Sequence, residues 1–226
     1  MKVQCRLQSN DRFSNEPVMR SLSKFPSSVL ADALGREREL VPVGLRAITS
    51  SFPGTMIGNA LTVSVSTGDN LMLQKAIDIA QPGDIIVCDC GNQTERAVAG
   101  ELIFRYAASR GVGGLVIDGA VRDIGFLRTF KFPVYAREVS PLGPTKTGSG
   151  TIGLPITIGG AAVRSSDVII GDTDGLVVVP RGRIREALSN GEAVLRHENA
   201  LVADIDAGTL SRQWIEDLVE VVDVEA

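Results

Sequence analysis

Between Gly58 and Asp123 the sequence passes twice from a short apolar run, through turn residues and a stretch of helical spacing, into another apolar run. That alternation constrains the fold more than any other feature, because strands separated by amphipathic helices pair in parallel and need helices layered over the sheet. The first run is Gly58-Asn59-Ala60-Leu61-Thr62-Val63-Ser64-Val65, closed by the turn Gly68-Asp69-Asn70. Leu71, Leu73, Ala76, Ile77 and Ile79 then recur at helical spacing, and Pro82-Gly83-Asp84 ends the helix before a strand from Ile85 to Asp89. Residues 97–109 place Ala99, Leu102, Ile103, Tyr106 and Ala107 on one face, which predicts a helix, and glycines 111, 113 and 114 release it into Leu115-Val116-Ile117-Asp118. That strand runs on into Gly119-Ala120-Val121-Arg122-Asp123, so a polar pair stands at a strand's carboxyl end, where open α/β sheets bind ligands.

The flanking segments are simpler. Residues 1–20 are polar and irregular, with Pro17 near their end, and read as an arm. Ser27 to Leu34 followed by Gly35 predicts a short helix with a serine N-cap and a glycine stop. Val41 to Leu45 reads as a strand, residues 127–130 as a helical turn, residues 133–136 as a strand and residues 143–153 as a Gly/Thr/Ser loop. Residues 168–180 predict a hairpin with Asp174-Gly175 in its turn, followed by a helix from about 184 to about 206. With no internal repeat or linker, residues 21–226 are expected to form a single α/β domain, a mixed sheet layered with helices, ending in a helical extension.

Composition excludes several functions. The balance of 23 Lys+Arg against 27 Asp+Glu, a net charge of -4, offers no basic stretch for phosphates, and 4% aromatic residues leave few platforms for bases. Nucleic acid is therefore a disfavoured partner. No apolar run approaches the roughly 20 residues a membrane span needs. Three cysteines, an odd number, and no leader pattern fit a reducing cytoplasm. His197 is the only histidine, so His-based triads and His-rich zinc sites are out of reach, and any metal would be held mostly by oxygen, as magnesium or manganese is.

Gly68-Asp69-Asn70, Pro82-Gly83-Asp84, Gly100-Glu101-Leu102, Asp118-Gly119-Ala120-Val121-Arg122-Asp123, Phe132-Pro133-Val134 and Gly171-Asp172-Thr173-Asp174-Gly175 occur here in one order. Together they resemble the RraA-like family, which includes metal-dependent 4-hydroxy-4-methyl-2-oxoglutarate/4-carboxy-4-hydroxy-2-oxoadipate aldolases and regulators of ribonuclease E activity. The resemblance runs from about Ser27 to Pro180. It implies a swivelling β/β/α sandwich assembled as trimers or hexamers, with active sites between subunits. It also implies that Arg122 grips a 2-oxo acid substrate, that Asp123 ligates the divalent metal, Mg or Mn, and that Glu101 faces a water beside that metal. Gly100, Leu102 and Ile103 match a helix start whose amides receive the pyruvyl carboxylate; free amides at a helix N-terminus suit an anion. Asp32 and Glu198 resemble further acidic positions near the metal, the second supplied by a neighbouring subunit. Phe126 departs from the pattern, since aldolase members tend to carry an acid there.

Each residue also has a plainer reading: Arg122-Asp123 as a surface ion pair, Gly100 as a packing glycine, and Glu101, Asp32 and Glu198 as solvated helix carboxylates. Gly148-Ser149-Gly150 reads as a loop before an anion cradle, Asp172 and Asp174 as hairpin residues before a metal pair, and Cys88 and Cys90 as buried strand cysteines. Two functions follow: a class II, metal-dependent lyase cleaving a 2-oxo acid to pyruvate with an oxaloacetate decarboxylase side activity, or a non-catalytic, protein-binding regulator of a ribonuclease or other partner. The block of Glu101, Arg122 and Asp123 favours the lyase, because a binding module has no need of it.

Overall fold

The computed structural model describes residues 3–8, 12–13, 15–49 and 54–222. Its strands are β1 (Cys5–Leu7), β2 (Arg46–Ala47), β3 (Met56–Val65), β4 (Ile85–Asp89), β5 (Ala97–Ala99), β6 (Gly114–Val121), β7 (Val134–Val139), β8 (Gly150–Ile152), β9 (Ile156–Ile158), β10 (Ala161–Val163), β11 (Val168–Gly171) and β12 (Leu176–Val179). The helices are α1 (Glu16–Leu22), α2 (Ser27–Ala33), α3 (Leu71–Ile79), α4 (Glu101–Ser109), α5 (Ile124–Leu127), α6 (Ile184–Ala207) and α7 (Gln213–Glu216).

The two strand–helix–strand units form the centre of a mixed sheet. Strands β3, β4, β6 and β7 lie side by side in parallel, joined by α3, by β5 with α4, and by α5. Period-2 alternation then sends each apolar strand's residues to two different cores. Ile86 and Cys88 of β4 and Leu115 and Ile117 of β6 face α3 and α4, with Leu73, Ile77 and Phe104 packed on them. Ile85, Val87 and Val116 face the other way, against Ile156, Ile158, Ile169 and Val178 of the second β layer. The opposite face of that layer, Val168, Ile170, Val177 and Val179, is covered by α2 and α6 through Leu30, Leu34, Ile184 and Ala187. Two β layers thus pack face to face, with α3 and α4 outside the first and α2 and α6 outside the second. Strand β3 takes part in both layers: its first half pairs antiparallel with β11, and its second half pairs with β4 and β8. No helix among the described residues is long and apolar enough to cross a membrane.

Several expectations change. Of residues 1–20, Cys5 to Leu7 pair with β8, and α1 begins at Glu16 and carries Leu22 into the core. Residues 1–2, 9–11 and 14 of the arm lie outside the described residues. Ser27 is the first residue of α2 and not its cap; Asp172 from the distant hairpin accepts from both its N–H (2.7 Å) and its Oγ (2.6 Å). Asp172 thus does the capping usually left to a local side chain. No strand spans 41–45, because Gly44 takes φ +82° and Arg38 ties the Val41 carbonyl to that of Gly159; pairing begins at Arg46. The helix expected over 97–109 is a short strand up to Ala99 and a helix from Glu101.

Candidate active site

The site is built where β6 ends beside the start of α4. Arg122 leaves β6 with its N–H donating to the Ala99 carbonyl at 2.9 Å, which pins the strand end to β5. Asp123 then takes φ +59°, a left-handed conformation that aspartate tolerates better than most residues, and opens α5. The reversal turns its carboxylate back toward α4, where Oδ2 accepts the Glu101 N–H at 3.0 Å. The first intrahelical bond of α4 is Phe104 N–H to the Gly100 carbonyl, so the N–H groups of Leu102 and Ile103 precede it and have no helical partner.

Gly100 is required here by space. A Cβ on it would stand 2.5 Å from Asp123 Oδ2 and 2.8 Å from Arg122 Cγ. At the tip of the same side chain, a Cβ on Gly143 would stand 2.9 Å from Arg122 Nη1. Gly100 thus leaves room for the Arg122 stem and Gly143 for its guanidinium, with Nε 3.7 Å from Asp123 Oδ2. Gly100→Ala is expected to push both side chains aside and cost roughly a hundredfold in turnover, the scale of an ångström's misplacement, with little change in melting temperature. Kinetics and thermal melts on one preparation check it.

A cavity of about 160 Å³ opens over this pair, lined by Gly100, Leu102, Ile103, Arg122 and Asp123. Asn70, Gln74 and Lys146 also line it; Asn70 belongs to the Gly68-Asp69-Asn70 motif, whereas nothing in the sequence marks Gln74 or Lys146 as site residues. Asn70 donates to the Val98 carbonyl (2.9 Å) and accepts from Gln74 Nε2 (2.9 Å), so this part of the lining is tied to β5. Asp69 anchors the loop that brings Lys146, accepting from Leu71 N (2.8 Å), Thr145 Oγ1 (2.8 Å), Thr147 N (2.7 Å) and Gly148 N (2.8 Å). Burial pushes the Asp69 carboxyl upward, but those hydrogen bonds outweigh it and hold its pKa below the usual value. The Gly148 amide is thereby spent on Asp69 and is not free to cradle an anion.

The acidic candidates divide. Asp123 borders the cavity, whereas Glu101 lies outside its lining and its side chain turns along α4 to Arg105, whose Nε donates to Oε1 at 2.8 Å. Asp32 is held by both Nε and Nη2 of Arg36 at 2.8 Å, an interaction that lowers its pKa, and lies outside the lining. Glu198 is exposed on α6 and likewise outside it. Cys88 and Cys90 are buried with sulfurs 3.8 Å apart, and the hydrogen bond between them followed by burial pushes the Cys88 thiol well up. Among the described residues no three His, Cys, Asp or Glu side chains cluster as a metal cage. Asp123 still suits a hard cation: it is 45% exposed, and Oδ1 has no hydrogen-bond partner among the described residues. Magnesium needs only one or two protein carboxylates, with water and substrate completing its shell.

The sequence model of the RraA-like family, described as Aldolase/RraA, matches residues 27–178, which include β6, α4 and Arg122. The chain belongs to the Aldolase/RraA family. Within the family's reach, a Halalkalibacterium halodurans protein named "Putative 4-hydroxy-4-methyl-2-oxoglutarate aldolase" is 34% identical over 201 residues, covering 86% of this chain and 92% of its own. The solved structure of the RNA-processing inhibitor RraA from Thermus thermophilis is 26% identical, with a TM-score of 0.62 over 69% of this chain and 92% of its own. Streptomyces coelicolor RraAS2, described as an unusual member of the RNase ES inhibitor RraA protein family, shares the fold at a TM-score of 0.72 and 23% identity, covering 84% of this chain and 96% of its own. The Aldolase/RraA fold thus carries both aldolase-named and inhibitor-named relatives.

Proposed function

We propose that this protein is a divalent-cation-dependent lyase that cleaves a 2-oxo acid to pyruvate. The observation that carries the reading is Asp123, turned left-handed onto the start of α4, half-exposed and lining the same cavity as Arg122. Asp123 would hold the cation, Mg or Mn, which when bound acts as a Lewis acid on the substrate's keto oxygen. The Leu102 and Ile103 N–H groups would receive the pyruvyl carboxylate at the N-terminus of α4. Arg122 would oppose the charge that grows as the carbon–carbon bond breaks, its guanidinium lying in space that Gly100 and Gly143 leave open. Loss of carbon dioxide from oxaloacetate leaves the same pyruvate enolate, so decarboxylation is the side activity that one site would share. Glu101, the first residue of α4, would orient water for the closing proton transfer.

The test is turnover of oxaloacetate and 4-hydroxy-4-methyl-2-oxoglutarate by EDTA-treated protein, before and after adding Mg or Mn. Activity restored by the cation supports the lyase, and inertness toward both substrates with either metal sinks it. The second reading, a protein-binding regulator of a ribonuclease, is favoured by the inhibitor named among the relatives; inertness with inhibition of a ribonuclease would select it.

Self-assembly belongs to the same reading. Residues 196–209 of α6 and its exit are all exposed, and Leu201, Val202 and Ile205 lie there with Glu198. Glu198 lies outside the lining of its own chain's cavity, so a role for it at the site would need a second copy covering this apolar stretch. Light scattering is expected to give a trimer or hexamer; an active monomer would remove any role for Glu198.

A further inference from the structure

Phe126 packs beside the site and is not idle. It lies three residues after Asp123 on α5, half-buried, with its ring centroid 4.6 Å from that of Phe130. The Arg105 guanidinium sits over Phe126 at 4.4 Å and within 5.7 Å of Phe130. From the same guanidinium, Nε donates to Glu101 Oε1 at 2.8 Å, one helical turn back along α4. An exposed i,i+4 ion pair alone leaves both side chains free to exchange rotamers. A guanidinium stacked on aromatic rings is held by a planar contact as well as by charge, so less freedom remains to be lost.

These contacts form one chain from Phe126 and Phe130, through Arg105, to the first residue of α4. Its ends are the two elements that carry Asp123 and Glu101, already joined by the Glu101 N–H to Asp123 Oδ2 bond. We infer that the Phe126–Phe130 platform and Arg105 act as positioning residues that hold the Glu101 carboxylate in a single orientation at the start of α4. The inference rests on the lyase reading for Glu101's role and goes beyond it in naming what fixes that residue. An acid at position 126 would compete with Glu101 for Arg105; an aromatic ring at 126 leaves Glu101 as the guanidinium's carboxylate partner.

The test reads orientation and turnover separately. NMR side-chain couplings of Glu101 are expected to report one χ1 rotamer in the wild type and in Phe126→Tyr, and averaged rotamers in Phe126→Leu and Arg105→Met. Phe126→Leu is expected to lower kcat about fivefold with KM unchanged, the scale of one exposed cation–π contact, and Phe126→Tyr to restore it. In a Glu101→Gln background, Phe126→Leu should cause no further loss. Averaged Glu101 rotamers in the wild type would overturn the inference, and so would an undiminished fivefold loss in the Glu101→Gln background. If the wild type turns over neither substrate with Mg or Mn, the lyase reading fails and the rotamer measurement alone decides the positioning.

Discussion

Asp123→Asn is expected to reduce cation-dependent turnover by about a thousandfold, roughly the several kcal/mol that Lewis-acid stabilisation supplies. Asparagine is the informative replacement. It tolerates the left-handed backbone at φ +59° and keeps an oxygen to accept the Glu101 N–H, so α4 should keep its start and the melting temperature should not move. What it removes is the charge. Alanine would confound the measurement by adding backbone strain and losing the cap at once. Steady-state rates across a Mg titration check the expectation: saturation at a wild-type rate, even at high Mg, would exclude Asp123 as a ligand.

Arg122→Lys is expected to cost about a hundredfold to a thousandfold, or roughly 3 to 4 kcal/mol, at the transition state. The lysine keeps the charge, and the space bounded by Gly100 and Gly143 accepts its narrower chain. It cannot present a planar pair of donors, because an ammonium is a point charge. The loss should fall on kcat as well as KM, since the charge on the substrate oxygen is greatest once the bond has begun to break. Cation affinity should change little. A raised KM with unchanged kcat would reduce Arg122 to an anchor for the ground state.

The parts of the fold readable in the sequence are those whose signal is local. The helix at 71–79, the strands at 85–89 and 114–121 and the hairpin around Asp174-Gly175 each carry their own periodicity and stops. Strands β8, β9 and β10, three residues apiece, are too short for a period to register, and they exist because of partners supplied by β3 or by one another. The same division holds at the site. Arg122 and Asp123 stand at a strand end that the pattern marks and Asn70 in a turn that it marks, whereas the helix start at Gly100 is hidden inside one helical period, and Gln74 and Lys146 reach the cavity only by tertiary placement. The turn of the Glu101 side chain toward Arg105 was accessible, because a carboxylate four residues before an arginine on a helix is a pairing signal. What stacks on that arginine was not.

The division of β3 between two layers has a consequence for how the chain is made. Residues 60–64 can pair with β4 as soon as the chain reaches Asp89, while residues 56–59 wait for β11, with Asn59 facing Val168. The parallel units bearing Arg122 and Asp123 are thus complete in sequence well before the hairpin that closes the opposite side. During that interval Met56 to Asn59 present an unsatisfied strand edge, the kind of surface on which nascent chains adhere to each other. The slow, long-range docking of β11 onto that edge is the step at which yield in the cell would be decided.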